Sequence, residues 1–321
     1  MTIQPSHPAL SIVATMYRSE AFIEEFCDRI SRSAAAITPD FEIILVNDGS
    51  PDASLDRAKA VANQNPAVVV VDLSRNFGHH AAILAGLENA EGNWIYLTDI
   101  DLEEQPEWLA DFWNIAQTEG HDVVFGIQKQ RIGSAMGNFA GSAFWWVLNA
   151  SSTVTIPANQ MTCRIFSKRY RDALLSVGDK VIYLGALFPW VGFSQKALEL
   201  VKTPRRAGTS STYNLTRKLR QTIDSLTSFT ASPLVSFFFL GLAIWIGSML
   251  YGAWLVSVRL IWPNEILSGF TAIMFSIWFL GGLLLLGIGV VGLYVSKLFQ
   301  EVKARPRFII RSVVRGKKNE I

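Results

Sequence analysis

Asn93-Trp94-Ile95-Tyr96-Leu97-Thr98-Asp99-Ile100-Asp101 sets an apolar run directly before a pair of acids. Residues 93–98 carry the aromatic and β-branched side chains of a buried strand, and Gln105-Pro106-Glu107 follow where a helix can start. Two carboxylates, Asp99 and Asp101, therefore emerge at a strand's carboxyl end. In an open α/β sheet that edge binds ligands, and hard oxygen ligands one residue apart suit a divalent cation that also holds a diphosphate. A solvated acidic turn is the rival reading, and the stretch alone does not separate the two.

Working outward, the same pattern repeats. Residues 10–14 read as a first strand, and residues 20–30 as its helix, with Phe22, Ile23, Phe26, Cys27 and Ile30 at helical spacing. Residues 41–46 form a second strand that ends in Asn47-Asp48-Gly49-Ser50-Pro51-Asp52. There Asp-Gly permits a tight turn, and Ser50 or Asp52 can cap the helix that runs toward Asn63. Val68-Val69-Val70-Val71 is a third strand, residues 78–90 a helix, residues 106–118 a helix and residues 122–125 a fifth strand. Strand and helix alternate, so the fold class is α/β with a mostly parallel sheet. His79 and His80 open a helix and read as satisfied polar residues rather than ligands.

Beyond Gly126 the pattern loosens. The aromatic stretch 139–148, with Phe144, Trp145 and Trp146, reads as an interfacial or a core helix. Residues 163–166 suggest another strand, residues 170–175 a short helix, residues 183–193 an aromatic segment and residues 197–201 a last strand.

After Thr203 the composition changes. Arg217, Lys218 and Arg220 sit on a helix from about Asn214 with Leu215, Leu219, Ile223 and Leu226 on one face, the pattern of a basic helix on an anionic membrane surface. Residues 225–258 and 266–296 hold no charge, and each run exceeds the roughly 20 apolar residues that cross a bilayer. The residues between, 259–265, contain Trp262-Pro263-Asn264 and read as a tight turn, making a two-helix transmembrane hairpin. Lysines and arginines cluster before the first run and after the second, so both ends are expected on the cytoplasmic side. The expected organisation is a cytoplasmic domain over 1–212, an amphipathic helix over 213–231, two spans over 232–296 and a basic tail over 297–321. Gly281, Gly282, Gly287, Gly289 and Gly292 permit close helix packing, within a protomer or between subunits of a homo-oligomer.

The bulk numbers agree. The chain has 321 residues, 50% hydrophobic and only 17% charged, too apolar for an ordinary soluble enzyme of this length. A net charge of +2 gives no argument for nucleic acid. The two cysteines, Cys27 and Cys163, have neither zinc spacing nor a disulfide pattern and read as buried thiols in a reducing compartment. Residues 1–8 are polar, without the apolar core of a signal peptide. No Gly-x-Gly-x-x-Gly or P-loop occurs, which argues against dinucleotide enzymes and NTPases.

An α/β domain with acids at its strand ends, held at a membrane, calls for one soluble and one lipid substrate. A nucleotide-activated donor fits the aspartates, because a metal bridging its phosphates neutralises charge on the leaving group. A lipid phosphate fits the arginines: Arg131, Arg205 and Arg206 can clamp it through charge-assisted bonds.

These residues resemble a known family. The first half is similar to family 2 glycosyltransferases of GT-A fold. Residues 10–311 resemble the polyprenyl-phosphate hexose transferases, the group that includes bactoprenol glucosyltransferases and dolichol-phosphate mannose synthases. The likeness is carried by Ser11-Ile12-Val13, Tyr17, Val46-Asn47-Asp48-Gly49-Ser50, Leu73-Ser74-Arg75-Asn76-Phe77-Gly78, Asp99-Ile100-Asp101-Leu102, Pro106-Glu107-Trp108, Arg131, Pro204-Arg205-Arg206-Ala207-Gly208 and the terminal hairpin.

The resemblance implies roles. Thr15, Tyr17, Glu20, Asp48, Arg75 and Asp99 are expected to line the nucleotide-sugar donor, a UDP-sugar in preference to GDP-mannose. Asp99 and Asp101, with Glu103 nearby, are expected to hold Mg²⁺ or Mn²⁺, and Arg131, Arg205 and Arg206 to hold the phosphate of polyprenyl (undecaprenyl) phosphate. Asp101 and Arg131 are the expected catalytic residues. The implied reaction is an inverting hexosyl transfer for cell-surface glycan synthesis, such as cell wall or lipopolysaccharide, by a multi-pass protein of the cytoplasmic membrane. Other readings are a non-catalytic scaffold, a partner in translocating lipid-linked sugars, and a transferase with another acceptor. The chain also departs from the pattern: Thr15 stands for proline, Arg18 for asparagine, Asn47 for an acid, Gln128 for arginine, and Asn159-Gln160-Met161-Thr162-Cys163-Arg164 for the more frequent Gly-Asp-Phe-Arg pattern.

Overall fold

The computed structural model describes residues 8–129, 155–157, 159–179, 183–202, 232–261 and 269–316. In chain order these give β1 (Leu10–Met16), α1 (Ile23–Ala35), β2 (Phe41–Asn47), α2 (Ser54–Gln64), β3 (Val68–Leu73), α3 (His79–Asn89), β4 (Trp94–Asp99) and a 3-10 turn (Pro106–Trp108). There follow α4 (Leu109–Glu119), β5 (Val123–Gln128), β6 (Gln160–Ser167), α5 (Lys168–Ser176), α6 (Leu184–Trp190), β7 (Gln195–Leu200), α7 (Ser232–Ile261), α8 (Phe270–Val302) and β8 (Ile310–Arg315).

The eight strands make one sheet in the order β7-β5-β6-β4-β1-β2-β3-β8. β3, β2, β1 and β4 are parallel neighbours, each reached through a helix. β6 runs antiparallel between β4 and β5, β7 is parallel to β5, and β8 is antiparallel to β3. The sheet is therefore mostly parallel, but the fifth strand along the chain is not β4's neighbour. Strand β6 takes that place.

Both faces of the central strands are apolar. Leu10, Ile12, Ala14 and Met16 of β1 pack with Ile23, Phe26 and Ile30 of α1, while Tyr96 of β4 meets Phe112 of α4 at 5.6 Å between ring centroids. An all-buried strand is what a covered parallel sheet requires, and Val68 to Val71 meet it with no polar side chain.

Two boundaries differ from the sequence expectation. Pro106 opens a 3-10 turn before α4, because its ring fixes φ and it has no amide to donate. The segment read as a basic tail contains the end of α8 and then β8, whose residues alternate between intermediate and exposed positions along the sheet's edge. The aromatic stretch 139–148 and the amphipathic helix 213–231 lie outside the described residues.

By internal contacts the chain divides into two units, one holding the sheet and the other residues 213–304. Within the second, α7 and α8 pack where Gly287 faces Phe237: a Cβ at Gly287 would fall 2.7 Å from that ring. Among the described residues one segment, Phe279–Val302, is long and apolar enough to cross a bilayer, with mean hydropathy 2.1.

Candidate active site

Register brings the acids together. Thr15 pairs with Val46 on one side and Asp99 on the other, so β1, β2 and β4 end level and their following loops share one rim. This is the carboxyl edge of the parallel strands, where the helix-return topology leaves a crevice.

Asp99 closes β4. Its Oδ1 lies 3.7 Å from His79 Nε2, and His79 Nδ1 lies 3.1 Å from Thr15 Oγ1. The first residue of α3 thus joins the ends of β1 and β4, a link that a reading of His79 as a mere helix opener passes over. Asp101 Oδ1 accepts a bond from the Glu103 amide at 3.1 Å. Burial, and then the neighbouring Asp99 charge, push the Asp101 carboxyl above the usual carboxylate range. The turn is sharp: Leu102 has φ 61°, left-handed backbone that costs a branched residue energy.

Glu104 holds that turn. It is fully buried, and its carboxylate accepts from Thr98 Oγ1 at 3.3 Å, the Asp99 amide at 3.2 Å and the Thr162 amide at 2.9 Å. Thus one side chain ties the end of β4 to β6. Burial, and then Asp99, raise its pKa to about 7. Glu103, the expected third metal-proximal residue, is in an ion pair with Lys202 at 3.3 Å. Burial pulls the Lys202 ammonium down, but Glu104, Glu103 and Asp99 around it outweigh burial and raise it. Neither Glu104 nor Lys202 is marked by local sequence, since each acts across the fold.

Asp48 is 4% exposed, and its two oxygens accept the amides of Phe77 at 2.7 Å and Gly78 at 3.0 Å. Burial raises its carboxyl, and those two amides work against the rise. Its bonds hold the loop that carries Arg75. Arg75 itself lies 3.9 Å over the Phe77 ring and donates to the Asn76 carbonyl. Gly49, at φ 62°, lies so close to this loop that a Cβ would fall 2.5 Å from the Asn76 nitrogen. Asn47 uses both ends of its amide, donating to Asp72 Oδ1 at 2.8 Å and accepting from the Ser50 amide at 3.1 Å. An acid at 47 would instead face Asp72, which gives the departure at that position a physical reason. Glu20 accepts the Ala53 amide ahead of α2, and Tyr17 is half exposed beside Arg18.

The structure thus gathers Thr15, Tyr17, Glu20, Asp48, Arg75, Asp99, Asp101 and Glu103 on the strand ends and following loops of one sheet edge. Arg131, Arg205 and Arg206 lie outside the described residues. Among the described residues no three His, Cys, Asp or Glu side chains converge as a ready cage for a metal. A pair of hard carboxylates fits Mg²⁺ or Mn²⁺, which take one or two protein acids and complete their shell with phosphate oxygens and water.

The family model for glycosyl transferase family 2 matches residues 11–171, the span that contains this rim. The chain belongs to that family. This glycosyltransferase is 39% identical over 304 residues to a Mycobacterium tuberculosis protein named only as a glycosyltransferase, covering 95% of this chain and 88% of that one. It is 31% identical over 310 residues to a prophage-derived bactoprenol glucosyl transferase of Shigella flexneri, covering 96% and 99% of the two chains. Among solved structures it is similar to glucosyl-3-phosphoglycerate synthase of Mycobacterium tuberculosis, at 20% identity and TM-score 0.48 over 69% of this chain and 79% of that one.

Proposed function

We propose that this glycosyltransferase moves a hexose from a UDP-sugar to polyprenyl phosphate at the membrane, with inversion at the anomeric carbon. One observation carries the reading: the Shigella relative, named for bactoprenol and glucosyl transfer, matches over 96% of this chain, so the likeness takes in the apolar helices as well as the sheet.

The roles follow from the rim. Thr15, Tyr17 and Arg75 face the nucleotide, while Glu20 and Asp48 shape the loops that do so. Asp99 and Asp101, with Glu103 beside them, hold Mg²⁺ or Mn²⁺, which when bound neutralises the charge growing on the diphosphate leaving group. Arg131, Arg205 and Arg206 grip the acceptor phosphate. That phosphate is already ionised at neutral pH, so its oxygen attacks the anomeric carbon without a base. The carbon–oxygen bond to the acceptor forms as the bond to the diphosphate breaks, and the electron pair leaves with the diphosphate.

We place the enzyme in the cytoplasmic membrane through two spans, with both flanks cytoplasmic. Strand β8 supports this: the chain that follows α8 returns to pair with β3 in the domain that precedes α7. Such a return needs an even number of crossings. The basic residues on either side of the two apolar runs point the same way.

The test is transfer by purified protein in detergent, with undecaprenyl phosphate, Mn²⁺ or Mg²⁺, and each common nucleotide sugar in turn. A polyprenyl-phosphate hexose in the lipid fraction, formed with one donor and lost with EDTA, is the expected result. No lipid product with any donor, from protein that still binds UDP, would turn the reading toward another acceptor.

A further inference from the structure

The last strand enters the sheet with an irregularity. Asp72 of β3 pairs with Ser312, yet Leu73 pairs with Ile310, leaving Arg311 as an extra residue on β8. A bulge of this kind re-aims the side chain that it carries. Here the Arg311 fork, itself exposed, reaches back along the edge of β3: Nη1 meets Asp72 Oδ2 at 3.2 Å, and Nη2 donates to the Ser74 carbonyl at 2.6 Å. The Ser74 amide donates to the Ile309 carbonyl at 2.9 Å. Both main-chain groups of Ser74 are therefore bonded to the C-terminal segment.

Ser74 is where β3 gives way to the Arg75-Asn76-Phe77-Gly78 loop. Asp72, only 2% exposed, passes the contact on through Asn47 to the Ser50 amide, on the turn that also presents Asp48 and Gly49. Asp48 in turn holds the Phe77 and Gly78 amides. One guanidinium thus braces the two loops that meet at Gly49 and Asn76, from a strand more than two hundred residues further along the chain.

We infer that Arg311 is a positioning residue that holds the loop from Ser74 to Gly78 in the shape that accepts the donor nucleotide; the nucleotide part rests on the proposed donor site. A charge-assisted fork is strong and directional, so its loss frees both the buried carboxylate and the loop's first carbonyl. The strand that follows the membrane helices then becomes a part of the donor site.

The experiment uses the full-length protein in detergent, comparing wild type with Arg311→Ala, Arg311→Lys and Arg315→Ala. The last is a control on the same strand, removing an ion pair with Glu91 that touches neither Asp72 nor Ser74. Amide hydrogen exchange over residues 74–78 and UDP affinity by calorimetry are read together. Arg311→Ala is expected to speed exchange at Phe77 and Gly78 and to weaken UDP about ten-fold, the scale on which supporting partners act. Arg311→Lys should recover part of both, and Arg315→Ala should leave both near wild type. Unchanged exchange in Arg311→Ala, or an equal change in Arg315→Ala, overturns the role of Arg311. Faster exchange in Arg311→Ala from a wild type that has no affinity for UDP keeps the bracing role and overturns the donor-site reading instead. If Arg311→Ala does not fold, the same comparison is made between Arg311→Lys and wild type, where loss of the second fork contact alone should speed exchange at Phe77.

Discussion

From β3 to β4 the strands are parallel, each returns through a helix, and Asp48 and Glu104 at their carboxyl ends are bonded to backbone amides. From β6 to β7 the strands reverse direction, the connections are longer, and Lys202, just past β7, reaches back to pair with Glu103. The first half is put together by neighbours in sequence and the second by contacts across the fold. The difference separates two kinds of residue at the rim. Asp99 and Asp101 are the acids proposed to meet a ligand, whereas Glu104 ties the turn that carries them to β6 and Lys202 pairs with Glu103 beside them.

A substitution at Asp101 strikes the first half at its centre. Asp101→Asn should lower hexosyl transfer by about 100-fold or more, the scale on which a preorganised electrostatic group acts. Its melting temperature should equal or exceed that of wild type, because the substitution relieves repulsion between two half-buried like charges. Transfer within a few-fold of wild type would remove Asp101 from the chemistry.

Next comes Glu104, the tie between the halves. Glu104→Ala leaves the Asp99 and Thr162 amides without their buried acceptor, at about 1–3 kcal/mol for each group left unsatisfied. It should lower both the melting temperature and transfer, the latter about 10–100-fold as for other residues that support metal ligands. The sign of its pH dependence also follows. Its pKa is 4.5 unperturbed and about 7 in the fold, so the native state holds the extra proton between those values. Stability from this group is full below pH 4.5 and is lost as pH rises through about 7. Glu104→Gln should flatten that part of a melting-temperature profile, and an unchanged slope would place the proton elsewhere.

Much of the first half was legible because each step is local. The alternating apolar runs mark β1 to β4 as successive strands of a mostly parallel sheet, and the strand-end rule puts Asp48, Asp99 and Asp101 at its carboxyl edge. His79 was legible as a helix opener but not as the link between Thr15 and Asp99, since that link exists only when β1 and β4 lie side by side. Glu104 and Lys202 were hidden for the same reason. The antiparallel insertion of β6 was hidden because an apolar run does not state its direction. Strand β8 had a signal: Ile310, Ser312 and Val314 alternate with Arg311, Val313 and Arg315. Its two charges, Arg311 and Arg315, among basic neighbours read instead as part of a basic tail. The Arg311 bulge could not be read from the sequence, because register exists only between two strands.

Lys202 tests whether the second half tunes the first. Its ammonium neutralises part of the negative field made by Asp99, Asp101, Glu103 and Glu104, and it holds Glu103 by its ion pair. Lys202→Met removes the positive charge, keeps most of the apolar stem and releases Glu103. Mn²⁺ affinity, followed by electron paramagnetic resonance in the absence of donor, should rise several-fold; a fall would mean that the lysine orients Glu103 as a ligand rather than competing for it.

The smallest effect concerns the two thiols, one in each half. Burial pushes Cys27 up to about 12 and Cys163 well above an ordinary thiol, so neither carries appreciable thiolate at pH 8. Both should resist an aromatic disulfide reagent in the native protein. Labelling in mild denaturant then reports which part opens first. Cys27 lies on α1, which needs only to lift from the sheet, whereas Cys163 lies on β6, bonded on both edges to β4 and β5. Cys27 should therefore be labelled first. If Cys163 is labelled ahead of it, the antiparallel junction at β6 is the weaker seam, and the acid cluster that Glu104 ties across that seam would loosen before the helices do.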